Sequence, residues 1–335
     1  LLLAVLAQCG NTMATEGNYN NEIGVPLTLL RLSPETRFAV VEMGAASIGD
    51  IAYLCRIGRP TVSLLLNAMQ AHLESFGSVE NIASGKGEIF DGLDAGDFAI
   101  INADQHWADG WRERAGAATV IDFGLRRKAA VTARDLRSRH TEGSEFTVIT
   151  PAGEFQAALQ LSGQHNVANA LAATCVGLAC GLTLEEIAAG LASVAPEPGR
   201  LVTRRRADGV TVIDDCYNAN PDSMRAAIDL LAASAPQRTA ILGAMKELGA
   251  DSESLHARLG EHARRAGIER LWGVGEELRP TVEAFGPGGQ FFADREALLP
   301  MLATGVGAGD TLLVKGSRGA AMEHIVQALM AAGEG

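Results

Sequence analysis

Several short apolar runs in this 335-residue chain end in polar residues that could do chemistry. FAVVEM closes on Glu42 and Gly44. TVSLLL closes on Asn67, with His72 five residues on. TVID closes on Asp214 and Asp215, followed by Tyr217, Asn218 and Asn220. TAIL leads into Gly243, Lys246 and Glu247, and TLLV leads into Lys315, Gly316, Ser317 and Arg318. In an open parallel sheet, ligands gather where the strands end, so these clusters are candidate site residues. Glu42 could be a ligand for a hard cation such as Mg²⁺, or a helix cap or solvated loop carboxylate. His72 could be a second ligand, although a lone loop histidine is more often a surface residue.

Three further positions stand apart from strand ends. Gly85-Lys86-Gly87 is no Walker A loop, because Lys86 is followed by glycine rather than Ser or Thr and lies in a helical stretch. On its own Lys86 reads as a solvent-facing helical lysine. Asn166 and Asn169, three apart near the start of a long Ala-rich helix, could read a base edge or cap that helix. Arg200, just after a Pro-Gly break, could reach a phosphate or be an ordinary linker residue.

The elements that must position these residues alternate. Strands are expected at 38–43, 61–66, 98–102 and 119–122, with helices at 47–57 and about 78–90 between them. Residues 148–161 alternate around a Pro-Ala-Gly turn and read as an antiparallel hairpin at a sheet edge. Helices follow at 164–180 and 182–193, the second opened by Thr183 with Glu186 at capping-box spacing. Pro196, Pro198 and Gly199 break the pattern, and strand–helix alternation then restarts and runs to about residue 331. Such alternation predicts an α/β protein with mostly parallel sheets covered on both faces. The expected domains are 1–197 and 198–335, which agrees with a length of about two domains.

Composition narrows the functional class. Lys and Arg number 28 against 40 Asp and Glu, a net charge of −12, which disfavours non-specific nucleic-acid binding. The five cysteines are scattered and form no CxxC pair, which points to a reducing, cytoplasmic setting. No run approaches the ~20 apolar residues of a membrane span, and LLLAVLAQ lacks the basic start of a signal peptide. It reads instead as the interior of a buried helix. No GxGxxG follows a strand, so a dinucleotide oxidoreductase is disfavoured.

Taken in order, the clusters resemble the Mur ligases, ATP-dependent amide-forming enzymes of peptidoglycan synthesis. The resemblance is carried by TEGNYNNEIGVPLTLL (15–30), VVEMGAASIGDI (40–51), NAMQAHLESFGSVENIASGKGEIF (67–90), HNVANALAA (165–173), PGRL (198–201), DDCYNANPDSM (214–224), GAMKELGADSESLH (243–256) and VKGSRGAAME (314–323). Within the family, DDxYNANP and VKGSRxxxME in that order resemble the branch that joins D-alanyl-D-alanine to UDP-N-acetylmuramoyl-tripeptide. The implied fold is a central ATP-binding domain of P-loop type followed by a Rossmann-like C-terminal domain. The implied cofactors are ATP and two magnesium ions, and the implied reaction passes through an acyl phosphate.

The resemblance also implies roles. Glu42 and His72 would be magnesium ligands, and Lys86 matches a lysine that is carbamylated in many members, its carbamate helping to bind metal. Lys86, His72 and Arg200 would be catalytic. Asn166, Asn169, Arg200, Asp215, Tyr217 and Asn218 would meet the nucleotide. Asn18 and Asn21 would contact the UDP-muramoyl substrate, and Lys315, Ser317 and Arg318 the incoming dipeptide. A monomer is implied, with small-molecule substrates and neither nucleic acid nor membrane as partner.

Two departures qualify this expectation. The family's GxxGKT[TS] phosphate loop is absent, and the resemblance places the first residues just after it, with the UDP-binding domain also missing. The chain as it stands is therefore expected to have little or no ligase activity. Ala244 stands where the family usually has Asp. The competing expectations are a folylpolyglutamate synthase-like ligase, which shares the architecture, and a non-catalytic nucleotide- or dipeptide-binding remnant.

Overall fold

In the computed structural model, residues 1–69, 73–138 and 143–332 are described. The backbone divides into two units, the first ending at Ala195 and the second beginning at Pro196.

The first unit opens with α1 (Leu2–Leu6), β1 (Thr12–Ala14), α2 (Gly24–Leu29), β2 (Phe38–Val40) and α3 (Asp50–Gly58). It continues through β3 (Val62–Leu65), α4 (Leu73–Phe76), α5 (Val79–Gly87), β4 (Phe98–Asn102), α6 (Ala108–Arg114) and β5 (Thr119–Phe123). The strands β3, β4 and β5 form a parallel sheet, and β1 pairs with β2 in parallel. Alternation along β4 explains its two covered faces. Ile100 joins Val5, Phe123 and Leu171 in one core, while Ala99 and Ile101 join Ile82, Phe90 and Trp111 in another.

A second sheet, antiparallel, follows: β6 (Thr132–Ser138), β7 (Ser144–Thr150) and β8 (Gly153–Leu159). The expected hairpin is β7–β8, but it does not sit at the edge of the parallel sheet. It belongs to this separate three-stranded sheet, whose Phe146, Val148, Ala157 and Leu159 reach the first core. The unit closes with α7 (Gln164–Ala179) and α8 (Leu184–Ala192). Thr183 and Glu186 form the expected reciprocal capping box on α8. Helix α1 is buried against α8 at Gly190, where a Cβ would come within 2.5 Å of the Val5 backbone.

The second unit contains β9 (Val202–Arg205), β10 (Thr211–Asp215), α9 (Pro221–Ala232), β11 (Arg238–Gly243) and α10 (Ser252–Arg265). It ends with β12 (Arg270–Val274), α11 (Arg279–Phe285), β13 (Gly289–Phe292), α12 (Arg295–Thr304), β14 (Thr311–Lys315) and α13 (Glu323–Ala331). Its six strands run in the order β13-β12-β11-β14-β10-β9, parallel except for β9. Leu312 and Val314 pack with α12 and α13 residues such as Leu298 and Ile325. Helix α9 packs on β11 and β14. Crossing orders of this kind leave strand ends next to one another, and here the ends of β10, β14 and β11 are neighbours.

Candidate active site

In the first unit, Glu42 lies exposed just beyond β2, which stops at Val40 rather than continuing to residue 43. Its carboxylate accepts a hydrogen bond from Asn20 Nδ2 at 2.8 Å, and its backbone N–H donates to Thr15 Oγ1 at 2.9 Å. Gly44 N–H in turn donates to the Asn20 carbonyl at 2.8 Å. Asn20 therefore holds the Glu42 loop to the 15–24 segment, a role the sequence reading missed. Its two asparagine neighbours do other things. Asn21 Oδ1 accepts from the Ile23 and Gly24 N–H groups and opens α2, and Asn18 lies exposed in the turn before it.

Lys86 is half-buried on the last turn of α5. The glycines beside it explain the fit. A Cβ on Gly85 would come within 2.8 Å of the Phe76 ring, and one on Gly87 within 2.9 Å of the Trp111 indole. Small residues let the helix sink until its lysine loses water. Burial pushes the Lys86 amine below its ordinary value, and its Nζ has no ion-pair or hydrogen-bond partner among the described residues. The helix is held from behind: Trp111 Nε1 donates to the Ala83 carbonyl at 3.0 Å, and Arg114 grips the Ser84 carbonyl and both oxygens of Asp91. Two residues after Lys86, the buried Glu88 accepts from the Gly49 and Ala52 N–H groups at the start of α3. Sequence reading singled out none of these supports. His72 lies outside the described residues.

Asn166 and Asn169 share one face of α7, where Asn169 Nδ2 donates to Asn166 Oδ1 at 3.3 Å and Asn166 Nδ2 to the Ser162 carbonyl at 2.8 Å. Among the described residues, no group of three His, Cys, Asp or Glu stands close enough to hold a metal ion.

In the second unit the DDCYNANP segment resolves residue by residue. Asp214 accepts from the Cys216 thiol at 2.8 Å, and burial pushes that thiol up to about 12. Asp215 pairs with Lys315 Nζ at 2.6 Å and accepts from Leu201 N–H at 3.2 Å. Burial raises the Asp215 carboxyl above its ordinary value, outweighing the opposite pull of the neighbouring Lys315. Tyr217 lies under the Arg200 guanidinium, 4.1 Å from ring centre to Cζ. Asn218 Oδ1 accepts from Ala219 N–H, and its carbonyl accepts from Lys315. Asn220 caps α9 with Ser223, and Pro221 fills the first helical position.

The VKGSR segment divides. Lys315, expected to face the dipeptide, is 3% exposed and bound to internal partners. Ser317 is buried too, but its hydroxyl has no hydrogen-bond partner among the described residues, and its N–H donates to the Ala244 carbonyl at 2.9 Å. The position where the family usually has Asp therefore makes its contact through the backbone. Arg318 is exposed, with Glu323 3.6 Å away.

Comparison with known proteins now joins the fold. Residues 1–177 match the Mur ligase middle domain, and residues 199–318 match the Mur ligase glutamate ligase domain. The chain belongs to the Mur ligase family. It is 44% identical over 329 residues to the UDP-N-acetylmuramoyl-tripeptide--D-alanyl-D-alanine ligase of Escherichia coli (strain K12), a match covering 97% of this chain and 72% of that relative. It superimposes on a crystal structure of MurF from Acinetobacter baumannii with a TM-score of 0.92 at 32% identity, over 98% of this chain and 73% of the other. MurF from Thermotoga maritima, solved in complex with ADP, matches with a TM-score of 0.86 at 29% identity, over 99% and 76% of the two chains. No helix among the described residues is long and apolar enough to cross a membrane.

Proposed function

We propose that this chain supplies the middle and C-terminal domains for the ligase activity that joins D-alanyl-D-alanine to UDP-N-acetylmuramoyl-tripeptide at the expense of ATP. The 44% identity across 97% of the chain to the E. coli enzyme of that name carries the reading. In this reaction the tripeptide carboxylate attacks the γ-phosphorus of ATP, ADP leaves, and an acyl phosphate forms. The dipeptide amine then attacks the acyl carbon, and inorganic phosphate leaves with the acyl–oxygen bond pair. Both steps bring negative groups together, so cationic and hydrogen-bonding groups must stabilise the charge that develops.

The residues divide that work. Arg200, exposed and held over Tyr217, offers its guanidinium to phosphate oxygens. Asn166 and Asn169 are the nucleotide residues of the first unit, and Asp215, Tyr217 and Asn218 those of the second. Asn18 and Asn21 face the UDP-muramoyl substrate. The unpartnered Ser317 hydroxyl and the exposed Arg318 suit the dipeptide, whose carboxylate and amide need a donor and a cation.

Magnesium takes oxygen donors, and when bound it would neutralise triphosphate charge. Glu42 supplies one carboxylate. Lys86 supplies none as an ammonium, but burial favours its neutral amine. That amine can add to carbon dioxide, forming an N–C bond and releasing a proton, and the resulting carbamate would be a second carboxylate. Oxygen donors of this kind suit the ion, and Glu42, His72 and carbamylated Lys86 are the proposed holders. The five free cysteines suit a reducing, cytoplasmic setting.

The test is phosphate release from ATP with each substrate alone and with both. It is run on this chain and on a fusion to the part of the E. coli relative outside the match. Release from the fusion that needs both substrates is the expected result, with little or none from this chain alone. No release from either protein overturns the ligase reading in favour of a binding remnant.

A further inference from the structure

Lys315 has surroundings that the ligase reading alone leaves unexplained. It ends β14, a central strand of the second unit, directly opposite Asp215 in the parallel register of β10. An ammonium whose side chain is withdrawn to 3% exposure is costly unless charge and hydrogen bonds compensate it. Here both do. Nζ lies 2.6 Å from Asp215 Oδ2 and donates to the Asn218 carbonyl at 2.9 Å.

Those two partners lead outward to Arg200. The other Asp215 oxygen accepts from Leu201 N–H at 3.2 Å, and Tyr217 N–H donates to the Gly199 carbonyl at 3.0 Å. Both chain neighbours of Arg200 are thus tied to the loop that Lys315 holds. The backbone there is forced: Gly199 has φ +74° and Leu201, a residue with a side chain, has φ +54°. A left-handed leucine persists only where its surroundings over-determine it. The tethers bring the Arg200 guanidinium over the Tyr217 ring.

We propose that Lys315 is a positioning residue: through Asp215 and the Asn218 carbonyl, it fixes the turn that holds Arg200 over Tyr217. This deepens the ligase reading, on which it rests for what Arg200 does to phosphate. The geometry itself can be tested without substrate.

Arg200 side-chain protons lie above an aromatic ring, so their NMR signals are displaced by the ring current. Arg200→Gln identifies those signals by removing them, and Tyr217→Leu returns them to ordinary positions. Lys315→Met is expected to return them as well while the rest of the spectrum stays dispersed. Because that variant leaves a buried carboxylate, the paired change Lys315→Met with Asp215→Leu removes both charges and keeps the fold. Arg200 signals still displaced in either folded variant overturn the proposal.

A second arm uses phosphate release, in which Lys315→Met is expected to lower kcat about 100-fold, as a small misplacement of a catalytic group does. Adding it to Arg200→Ala should cost nothing more. A variant that instead raises only the KM for the dipeptide returns Lys315 to direct dipeptide contact and overturns positioning. The kinetic arm uses the fusion, and absence of phosphate release from the unaltered fusion counts against the ligase reading alone, because the spectroscopic arm decides the geometry separately.

Discussion

Lys86 and Lys315 are both drawn away from water, yet their surroundings give them opposite chemistry. Lys86 rides on a helix let down between Phe76 and Trp111 by two glycines, and no acceptor among the described residues meets its amine. Lys315 ends a central strand with a carboxylate at 2.6 Å and a carbonyl at 2.9 Å. Burial without a partner disfavours the charged form and leaves a nucleophile. Burial against a carboxylate and a carbonyl makes a tether. The difference teaches that a lysine followed by glycine cannot be assigned from its neighbours in sequence; its neighbours in space decide.

The comparison can be broken at several levels. The largest effect is expected from Lys86→Ala, which should abolish phosphate release with little change in Tm. Substantial turnover in this variant would remove Lys86 from the reaction. Next comes direct chemical contrast. With limiting acetic anhydride and peptide mass spectrometry, Lys86 should reach half its limiting acylation rate below the ordinary lysine value of 10.5. Lys315 should stay unmodified in the folded chain, and equal labelling of the two would erase the distinction.

A smaller effect is expected where the glycines are tested. Gly87→Ala places a methyl within 2.9 Å of Trp111, so it should cost about 1–3 kcal/mol in urea unfolding. An unchanged midpoint would mean that the helix has room to spare. The smallest effect serves as a control that involves neither lysine. Arg238 holds the Glu269 carboxyl down from 4.5 to about 2. A depressed carboxyl stabilises the fold above its unfolded value and loses that contribution as pH falls toward the folded value. Unmodified protein should therefore exceed Glu269→Gln in stability above pH 4.5, by a margin that solvent screening keeps small, since the side chain is 40% exposed. The gap should close between 4.5 and about 2, and a gap persisting at the lower limit would contradict the pairing.

How far the sequence could be read follows from the range of the forces involved. The strands β3, β4, β10 and β14 are apolar runs bounded by polar residues, and the cap on α8 is a local exchange between Thr183 and Glu186, so both were legible. Strand β6 was not, because TARDLRS is mostly exposed and carries no apolar alternation. Short β1, β9 and β13 give too few residues for a period to show. In the site, residue types were legible and partners were not. The family resemblance pointed to Asn18 and Asn21 and passed over Asn20, whose contact to Glu42 spans 22 positions. Lys315 followed an apolar strand, which was the available sign of its burial, but its partners lie about a hundred positions upstream.

The same packing that withdraws Lys86 from water also gives the segment its own optical reporter. Trp111 is buried, donates to the carbonyl of Ala83 and touches Gly87. The chain has three tryptophans, so replacing Trp107 and Trp272 with phenylalanine leaves a single indole in direct contact with the helix that bears the lysine. Its emission colour and lifetime would then follow that helix in real time, whatever the rest of the molecule is doing.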